Sequence, residues 1–189
     1  MRKIYLIDFD GTISSKDSFF EFTFFSVSKP FYFKFWITTL LLIFSTPKSR
    51  LKERFFKNFE GIHLIFFQTI CDEFINDNLV KIIRQSFLDF IKNLDEDSKI
   101  VIVSASISNY LKPWCDEMGF DLISTELEVV NGKLTGKFST LNCNEQEKVR
   151  RIKETYNLSE YDEIHVFGNS KGDFPMLELG THKYYKFFK

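Results

Sequence analysis

A short apolar segment, Lys3 to Ile7, ends abruptly in the polar stretch Asp8-Phe9-Asp10-Gly11-Thr12. Such a change is typical of a buried β-strand that delivers polar groups to a loop at its carboxyl end. The same change from apolar to polar residues occurs after Val103 and after Phe167. Because the carboxyl ends of parallel strands converge at one edge of an open sheet, the sequence predicts one site built from three distant segments.

Between the first two of these strands the pattern is helical, from about Ser18 to Asn93. One helix face would combine Leu51, Phe55, Phe56 and Phe59, and a second apolar series with a period near 3.6 runs from Leu79 to Ile91. We therefore predict an α/β fold: a three-layer, Rossmann-like core with a mainly parallel sheet, made of residues 1–15 and 95–189. A helical cap, residues 16–94, is expected to be inserted into it.

The second half of the chain has shorter elements. The pattern predicts a helix from about Ser108 to Met118, a strand over 121–124, and a hairpin with strands 126–130 and 133–138. Asn131-Gly132 between the hairpin strands suits a type I′ turn, which needs two positive φ angles. Asn144 is expected to cap the next helix, with Glu147 completing a capping box.

Charge and cysteine content exclude several classes of protein. Lys and Arg total 25 and Asp and Glu total 26, so the net charge of -1 gives no electrostatic reason to expect nucleic acid. The three cysteines are far apart and form no CxxC pair, which indicates buried thiols rather than disulfides or a zinc site. No export signal is visible, and the apolar run 31–44 is shorter than the roughly 20 residues of a membrane span. We expect a cytoplasmic protein.

Asp8 and Asp10 carry the strongest chemical signal. They are two residues apart, so both can face the same way at the end of a strand, and Gly11 lets the backbone turn closely around a ligand. Two such acids suit a hard cation that prefers oxygen, such as Mg²⁺. The alternative is a structural role, in which Asp8 and Asp10 cap a loop or bind a structural ion.

Four motifs in the same order resemble those of the haloacid dehalogenase superfamily phosphatases: DFDGT, Ser104 at a strand end, Lys148, and GNSKGD. The stretches YLKPWCDEMGFDLISTELEV, KLTGKF and NCNEQEKVRRIKE are similar to the subgroup of phosphoserine phosphatase-like and phosphatidylglycerophosphatase-like enzymes. That subgroup has a helical cap after the first motif. The resemblance covers nearly the whole chain.

The resemblance implies a catalytic role for each acid. Asp8 would be the nucleophile that forms an aspartyl-phosphate, and Asp10 would act first as an acid and then as a base. Mg²⁺ would be held by Asp8, by the backbone carbonyl of Asp10, and by Asn169 and Asp173 in the last motif. Asp173 could instead simply cap the helix that follows it.

The resemblance also implies a set of phosphate-binding groups. The hydroxyl of Ser104, the N–H of Ala105 and the ammonium of Lys148 would bind the transferring phosphoryl oxygens, with Gly11 beside them. The alternatives to Lys148 are Arg150 and Arg151, or a purely solvated role for all three cations.

The chain departs from the common family pattern at two motifs. Asn169 stands at the first acidic position of GDxxxD, and because an amide brings no charge, we expect weaker metal binding there. Ser104-Ala105-Ser106 replaces the Ser-Gly-Gly of phosphoserine phosphatases, so side chains fill space that glycines would leave open.

The aromatic residues of the cap leave the substrate open. They include Phe19, Phe20, Phe22, Phe24, Phe25, Phe31, Phe33, Phe35 and Trp36. They either pack the cap or form a face for lipid, and seven Lys or Arg against three Glu between residues 19 and 70 suit an anionic membrane surface. The sequence favours a phosphomonoesterase acting on a lipid or amphipathic phosphate such as phosphatidylglycerophosphate. The alternatives are a phosphatase of phosphoserine or another small metabolite, a phosphotransferase, or a non-catalytic phosphate-binding protein.

Overall fold

The computed structural model describes residues 1–28, 48–95 and 97–188. Its strands are β1 (Lys3–Ile7), β2 (Lys99–Ile107), β3 (Asp121–Thr125), β4 (Leu127–Val130), β5 (Lys133–Phe138), β6 (Glu163–Gly168) and β7 (His182–Tyr185). The central sheet has the order β3-β2-β1-β6-β7, and every neighbouring pair in it is parallel. Strands β4 and β5 form an antiparallel hairpin of their own.

The labelled helices are α1 (Ser18–Ser28), α2 (Lys48–Phe56), α3 (Leu64–Phe74), α4 (Gln85–Ile91), α5 (Ser108–Met118), α6 (Gln146–Thr155) and α7 (Phe174–Leu177), and the short helical segments Ile75–Leu79 and Val80–Ile82 follow α3 directly. Successive residues of β1 point to opposite faces of the sheet. Leu6 packs in one apolar cluster with Ile152 of α6, and Ile7 packs in the other with Tyr110 of α5. Helices therefore cover both faces, which confirms the predicted three-layer α/β core with a parallel sheet.

Phenylalanine side chains hold α1, α2 and α3 together. Phe22 is fully buried, and its ring lies 5.2 to 6.4 Å from six other aromatic rings: Phe55, Phe56, Phe59, Phe67, Phe74 and Tyr110. The predicted apolar face that begins at Leu51 is buried in the same cluster. Of the cap aromatics that the structure describes, Phe19 and Phe22 therefore serve packing, whereas Phe24 is 56% exposed. Phe31, Phe33, Phe35 and Trp36 lie outside the described residues.

The apolar series from Leu79 to Ile91 does not form one helix, contrary to its period. Ile83 and Arg84 are extended, with ψ angles of 131° and 132°. Ile83 forms an antiparallel bridge with Ser14, and the N–H of Arg84 donates to the carbonyl of Ile13 at 2.9 Å. The chain segments around Ser14 and Ile83 are therefore hydrogen-bonded to each other. The period of apolar residues along the sequence does not predict such pairing between distant segments.

Helix α4 lies within the predicted cap range, yet it packs on the sheet. The ring of Phe90 is 5.3 Å from that of Phe167 in β6 and 6.0 Å from that of Tyr5 in β1. By packing alone the cap would end before Gln85. The division of the chain at residues 15 and 95 stays a prediction.

The hairpin is confirmed, and it contacts the segment between α2 and α3. Asn131 and Gly132 have φ angles of 52° and 72°, as a type I′ turn requires. His63 bridges Lys133, and the N–H of Leu64 donates to the carbonyl of Gly132 at 2.8 Å. The hairpin thus fixes the cap helices near the edge of the cleft described below.

The predicted capping box at α6 is wrong. Helix α6 begins at Gln146, and Glu145, with a φ of 51°, is the residue that precedes it, without a capping hydrogen bond from its side chain. The carboxylate of Glu147 instead accepts hydrogen bonds from Arg150 and Arg151. The two guanidinium groups outcompete the backbone because they form charge-assisted hydrogen bonds.

Three smaller features concern the cysteines, strand β7 and membrane-spanning helices. The cysteines are free and buried, as predicted. Strand β7 was not predicted, because its four residues show no apolar alternation. In the part of the chain that the structure describes, no helix has the length and apolar character to cross a membrane, and the run 31–44 falls outside that part.

Candidate active site

A cleft of about 540 Å³ lies at the carboxyl ends of β1, β2 and β6. Its lining brings together residues from all three predicted strand ends, Asp8, Asp10, Gly11, Ala105, Asn169 and Asp173, with Lys148 of helix α6. Ser104 is the predicted site residue that does not line this cleft. The predicted convergence of strand ends is therefore present in the structure.

Asp8 follows the last residue of β1 and is almost completely buried. Its N–H donates to the carbonyl of Phe167 at 3.0 Å, which continues the ladder between β1 and β6. Its Oδ1 accepts from Nζ of Lys148 at 2.6 Å and its Oδ2 accepts from the hydroxyl of Thr12 at 2.9 Å. Burial raises the pKa of Asp8 from 3.8 to about 6, although the ammonium of Lys148 opposes this rise. The carboxylate is still the main form at pH 7.

Gly11 permits the close approach of two loops. Its φ of 78° is in the region that favours glycine, and a Cβ built on it would lie 2.0 Å from Nδ2 of Asn169. The loop after β1 therefore touches the loop after β6. A larger residue at this position would push Asn169 out of the cleft.

The carboxylate of Asp10 is held at both oxygens. Oδ1 accepts from the N–H of Ser18 at 2.7 Å, and Oδ2 accepts from the hydroxyl of Ser106 at 2.6 Å. Ser18 is the first residue of α1, and Ser106 lies near the end of β2. Neither contact could be predicted from the spacing of Asp8 and Asp10.

Lys148 joins the first and last motifs. Its side chain is 2% exposed, and its Nζ donates to Asp8 at 2.6 Å and to Asp173 at 2.7 Å. Burial opposes the charged form, but the two carboxylates outweigh it and raise the pKa of Lys148 above its ordinary value. Arg150 and Arg151 form ion pairs with Glu147. Among the three cations considered for this position, the structure places Lys148 in the cleft.

Asp173 organises the loop after β6. Its Oδ1 accepts from Lys148, and its Oδ2 accepts from the N–H groups of Asn169 and Ser170 and from the hydroxyl of Ser170. Burial opposes ionisation, but the Lys148 ammonium and the Ser170 donors lower the pKa of Asp173. Asp173 therefore caps the loop and anchors Lys148 at the same time.

The Ser104-Ala105-Ser106 motif lies inside β2, because the strand continues to Ile107 and does not end, as expected, at Val103. Ser104 is fully buried, and its hydroxyl accepts from the N–H of Ser106 at 3.0 Å. The carbonyl of Ala105 accepts from Nζ of Lys52 at 3.1 Å. A direct contact between Ser104 and a phosphoryl group stays a prediction.

Several residues of the cleft were missed by sequence reasoning. Lys52 comes from α2, Phe138 from β5, and Asn142 and Asn144 from the loop before α6. Asp17 also lines the cleft, and its Oδ1 accepts from the N–H of Phe19 at 2.9 Å. These residues follow no motif, so only the folded chain brings them together.

The oxygen atoms in the cleft fit a divalent cation. Asp8 offers a carboxylate, Asp10 a backbone carbonyl and Asn169 an amide, and oxygen ligands of these kinds suit Mg²⁺. Oδ2 of Asp173 already accepts three hydrogen bonds. Asp173 therefore supports the loop through this oxygen, and metal ligation by Asp173 stays a prediction.

A group of side chains whose types can bind metals lies at the opposite end of the sheet. Glu163, His165 and His182 have ligand atoms within 4.8 Å of one another. The two imidazole rings stack 4.5 Å apart with planes 10° apart, so their in-plane lone pairs run parallel rather than converge. His165 is hydrogen-bonded to Glu163 at 2.8 Å and to Tyr184 at 3.2 Å. Stacking and hydrogen bonding explain this group without a metal.

Comparison with known proteins gives the family. A model of haloacid dehalogenase-like hydrolases matches residues 5–178. Protein CicA from Caulobacter vibrioides (strain NA1000 / CB15N) is 27% identical, over 96% of this chain and 85% of CicA.

Solved structures share the fold. A protein of unknown function from Bordetella pertussis Tohama I has a TM-score of 0.82 at 19% identity, covering 96% of this chain and 88% of the other. A phosphoserine phosphatase in complex with substrate has a TM-score of 0.67 at 15% identity, covering 98% and 86%. The family model spans all three loops that build the cleft, and the chain therefore belongs to the haloacid dehalogenase-like hydrolases.

Proposed function

We propose that the chain is a phosphomonoester hydrolase that works through an aspartyl-phosphate. The observation that carries this proposal is the position of Asp8, a buried carboxylate at a strand end, hydrogen-bonded to Lys148 and sharing the cleft with Asp10. A carboxylate can form a covalent intermediate and so divide one difficult displacement into two easier steps. The structural similarity to phosphoserine phosphatase supports the same reaction class.

The residues of the cleft would divide the work as follows. In the first step, an oxygen of Asp8 bonds to phosphorus, the bond from phosphorus to the ester oxygen breaks, and Asp10 gives its proton to the departing alkoxide. In the second step, Asp10 takes a proton from water while the water oxygen attacks phosphorus and releases Asp8 and inorganic phosphate. Lys148 holds Asp8 in place through both steps and offers positive charge to the phosphoryl oxygens.

Phosphatases of this family generally use Mg²⁺, and we propose the same cofactor here. Asp8, the backbone carbonyl of Asp10 and Asn169 would hold it. When bound, the cation would neutralise charge on the phosphate so that one anion can approach another.

The reaction is tested with the purified protein, Mg²⁺ and p-nitrophenyl phosphate. We expect release of phosphate, its loss in Asp8→Asn, and no loss in Asp116→Asn, a control at an exposed carboxylate. In Asp10→Asn the second step lacks its base, so intact mass spectrometry should detect a protein that carries one phosphoryl group. Undiminished turnover in Asp8→Asn would contradict the proposal.

For the substrate we favour a small polar phosphomonoester over a lipid phosphate. The described lining of the cleft beyond the motifs is mostly polar or charged: Ser15, Lys16, Asp17, Lys52, Glu53, Asn142, Asn144 and Ser170, with Phe138 as its large apolar residue. Acyl chains in the cleft would bury these polar groups without hydrogen-bond partners, which costs free energy of binding. Phosphoserine, a nucleoside monophosphate and glycerophosphate should have higher kcat/KM than phosphatidylglycerophosphate in mixed micelles; the reverse order would restore the lipid substrate.

Contact of the cap with an anionic membrane stays a prediction. It rests on the aromatic and basic residues between 19 and 70, of which 29–47 lie outside the described structure. Co-sedimentation with phosphatidylglycerol vesicles at low salt tests it directly. Equal recovery with neutral and anionic vesicles would argue against docking.

A further inference from the structure

A chain of buried hydroxyl groups lies behind Asp10. The hydroxyl of Ser106 is 2.6 Å from Oδ2 of Asp10, Ser18 is 3.0 Å from Ser106, and Tyr110 is 3.3 Å from Ser18, each between side-chain oxygens. Ser18 and Tyr110 are fully buried and Ser106 is 1% exposed. The Ser106 side chain therefore contacts Asp10 from the protein interior, with Ser18 and Tyr110 behind it, while Asp10 also lines the cleft.

The two ends of this chain fix the direction of its hydrogen bonds. The hydroxyl of Ser106 donates its single proton to Oδ2 of Asp10, and the lone pairs of Asp10 that face the cleft remain for the proton that Asp10 transfers. Ser106 must then accept from Ser18, and Ser18 must accept from Tyr110. Burial, followed by the nearby charge of Asp10, raises the pKa of Tyr110 above its ordinary value, so its hydroxyl keeps the proton that it donates.

The chain fixes the plane of the Asp10 carboxylate. Oδ2 is held by Ser106 of β2, and Oδ1 by the N–H of Ser18, at 2.7 Å, in α1. Two anchors on different elements prevent rotation of the carboxylate, while each oxygen keeps a further lone pair for the cleft. A glycine at position 106, as in the Ser-Gly-Gly motif, would supply no hydroxyl to do this.

We propose that Ser106 is a positioning residue that orients Asp10 for proton transfer to the leaving group, with Ser18 and Tyr110 polarising its hydroxyl. The proposal rests on the hydrolase function proposed above. A proton donor contributes only when it is within hydrogen-bond reach of the departing oxygen. Preorganisation of this kind removes the need to reorient the carboxylate during the reaction.

The leaving group distinguishes positioning from a structural role. p-Nitrophenolate is a weak base and departs without a proton, whereas an alkoxide is a strong base and needs one from Asp10. Loss of orientation should therefore harm hydrolysis of an alkyl phosphate much more than hydrolysis of p-nitrophenyl phosphate. Damage to the fold would harm both equally.

The experiment compares kcat/KM of Ser106→Ala on ethyl phosphate and on p-nitrophenyl phosphate. Removal of a hydrogen bond to a charged group should lower kcat/KM on ethyl phosphate about ten- to hundred-fold. On p-nitrophenyl phosphate we expect a decrease of less than about three-fold. Ser106→Thr, which keeps the hydroxyl, should restore most of the lost activity. Tyr110→Phe should reduce the ethyl phosphate rate by a few-fold in the same selective way.

Ser26→Ala is the matched control, because it removes a buried hydroxyl from α1 that donates to the carbonyl of Thr23 and not to Asp10. In Ser26→Ala, the ratio of kcat/KM on ethyl phosphate to kcat/KM on p-nitrophenyl phosphate should equal that of the wild type. Equal losses on both substrates in Ser106→Ala, or none, would overturn the positioning role alone. Wild-type protein that hydrolyses neither ester would overturn the hydrolase function, and the role of Ser106 with it.

Discussion

Replacement of Asp8 by asparagine should stabilise the metal-free protein at neutral and alkaline pH. Asp8 is 6% exposed, and burial raises the pKa of its carboxyl from the ordinary 3.8 to about 6. A carboxyl whose pKa is higher in the folded state binds its proton more tightly when folded. Its contribution to stability is complete below pH 3.8 and is lost as the pH rises through about 6.

The size of the effect follows from the same difference. Each unit of pKa corresponds to about 1.36 kcal/mol, so the rise from 3.8 to about 6 corresponds to about 3 kcal/mol. Asparagine resembles the protonated carboxyl in shape and charge. Above pH 6 the free energy of unfolding of Asp8→Asn should therefore be about 3 kcal/mol higher than that of the wild type. For a chain of this size, this corresponds to a Tm about 6–12 °C higher. The difference should vanish near pH 4.

Urea denaturation in EDTA, followed by circular dichroism from about pH 4 to pH 8, measures this difference. Asp173→Asn is a matched control of opposite sign, because Asp173 shares Lys148 but has a lowered pKa. Its carboxylate contributes stability above its ordinary pKa, and this contribution is lost as the pH falls. Asp173→Asn should be less stable than the wild type at pH 8, and a similar loss in Asp8→Asn would refute the reasoning.

Three further predictions concern single positions. Gly11→Ala should abolish turnover, because the added Cβ would meet Asn169, and it should lower the free energy of unfolding in urea by roughly 1–3 kcal/mol. The control Gly61→Ala should keep activity, because Gly61 also has a positive φ, of 81°, but no atom lies within 4 Å of the added Cβ. Asn169→Asp should lower the Mg²⁺ concentration for half-maximal activity; an unchanged value would count against Asn169 as a ligand. Phe22→Ala should lower the free energy of unfolding by about 3–5 kcal/mol, and Phe24→Ala, at 56% exposure, by less than about 0.5 kcal/mol.

The parts of the fold that could be predicted are those determined by residues close together in the sequence. The strand Lys3–Ile7 has apolar residues on both faces because both faces are buried, and the polar residues that follow it mark where the strand leaves the core. Asn131-Gly132 specifies its turn through backbone angles that few other residues adopt. Lys148 could be placed in the cleft because its motif resembles that of the family; helix α6 follows the hairpin strand β5 and not a strand of the central sheet, so sheet topology alone does not give this position.

The failures have a different physical origin: competition between partners that are distant in sequence. The series through Ile83 has a helical period, but backbone hydrogen bonds that join Arg84 to Ile13 and Ser15 to Ile82 interrupt the helix. Glu147 has the spacing of a capping residue, but two arginines on its own helix bind it instead. The hydroxyl of Ser106 reaches Asp10 across a separation of 96 residues. Local propensity gives each residue's options, and tertiary contacts select among them.

Burial raises the pKa of Asp8, whereas at Asp173, which contacts the same ammonium, the charge of Lys148 and the donors of Ser170 outweigh burial and lower the pKa. Asp173 receives three further hydrogen bonds from Asn169 and Ser170, which stabilise its charge and fix it as an anion. Asp8 receives one such bond, from Thr12, and its charge is correspondingly less well stabilised. A carboxylate with few donors is the better nucleophile, since fewer hydrogen bonds must be broken when it attacks. The instability that Asp8→Asn should relieve is therefore the same property that suits Asp8 to form a bond to phosphorus.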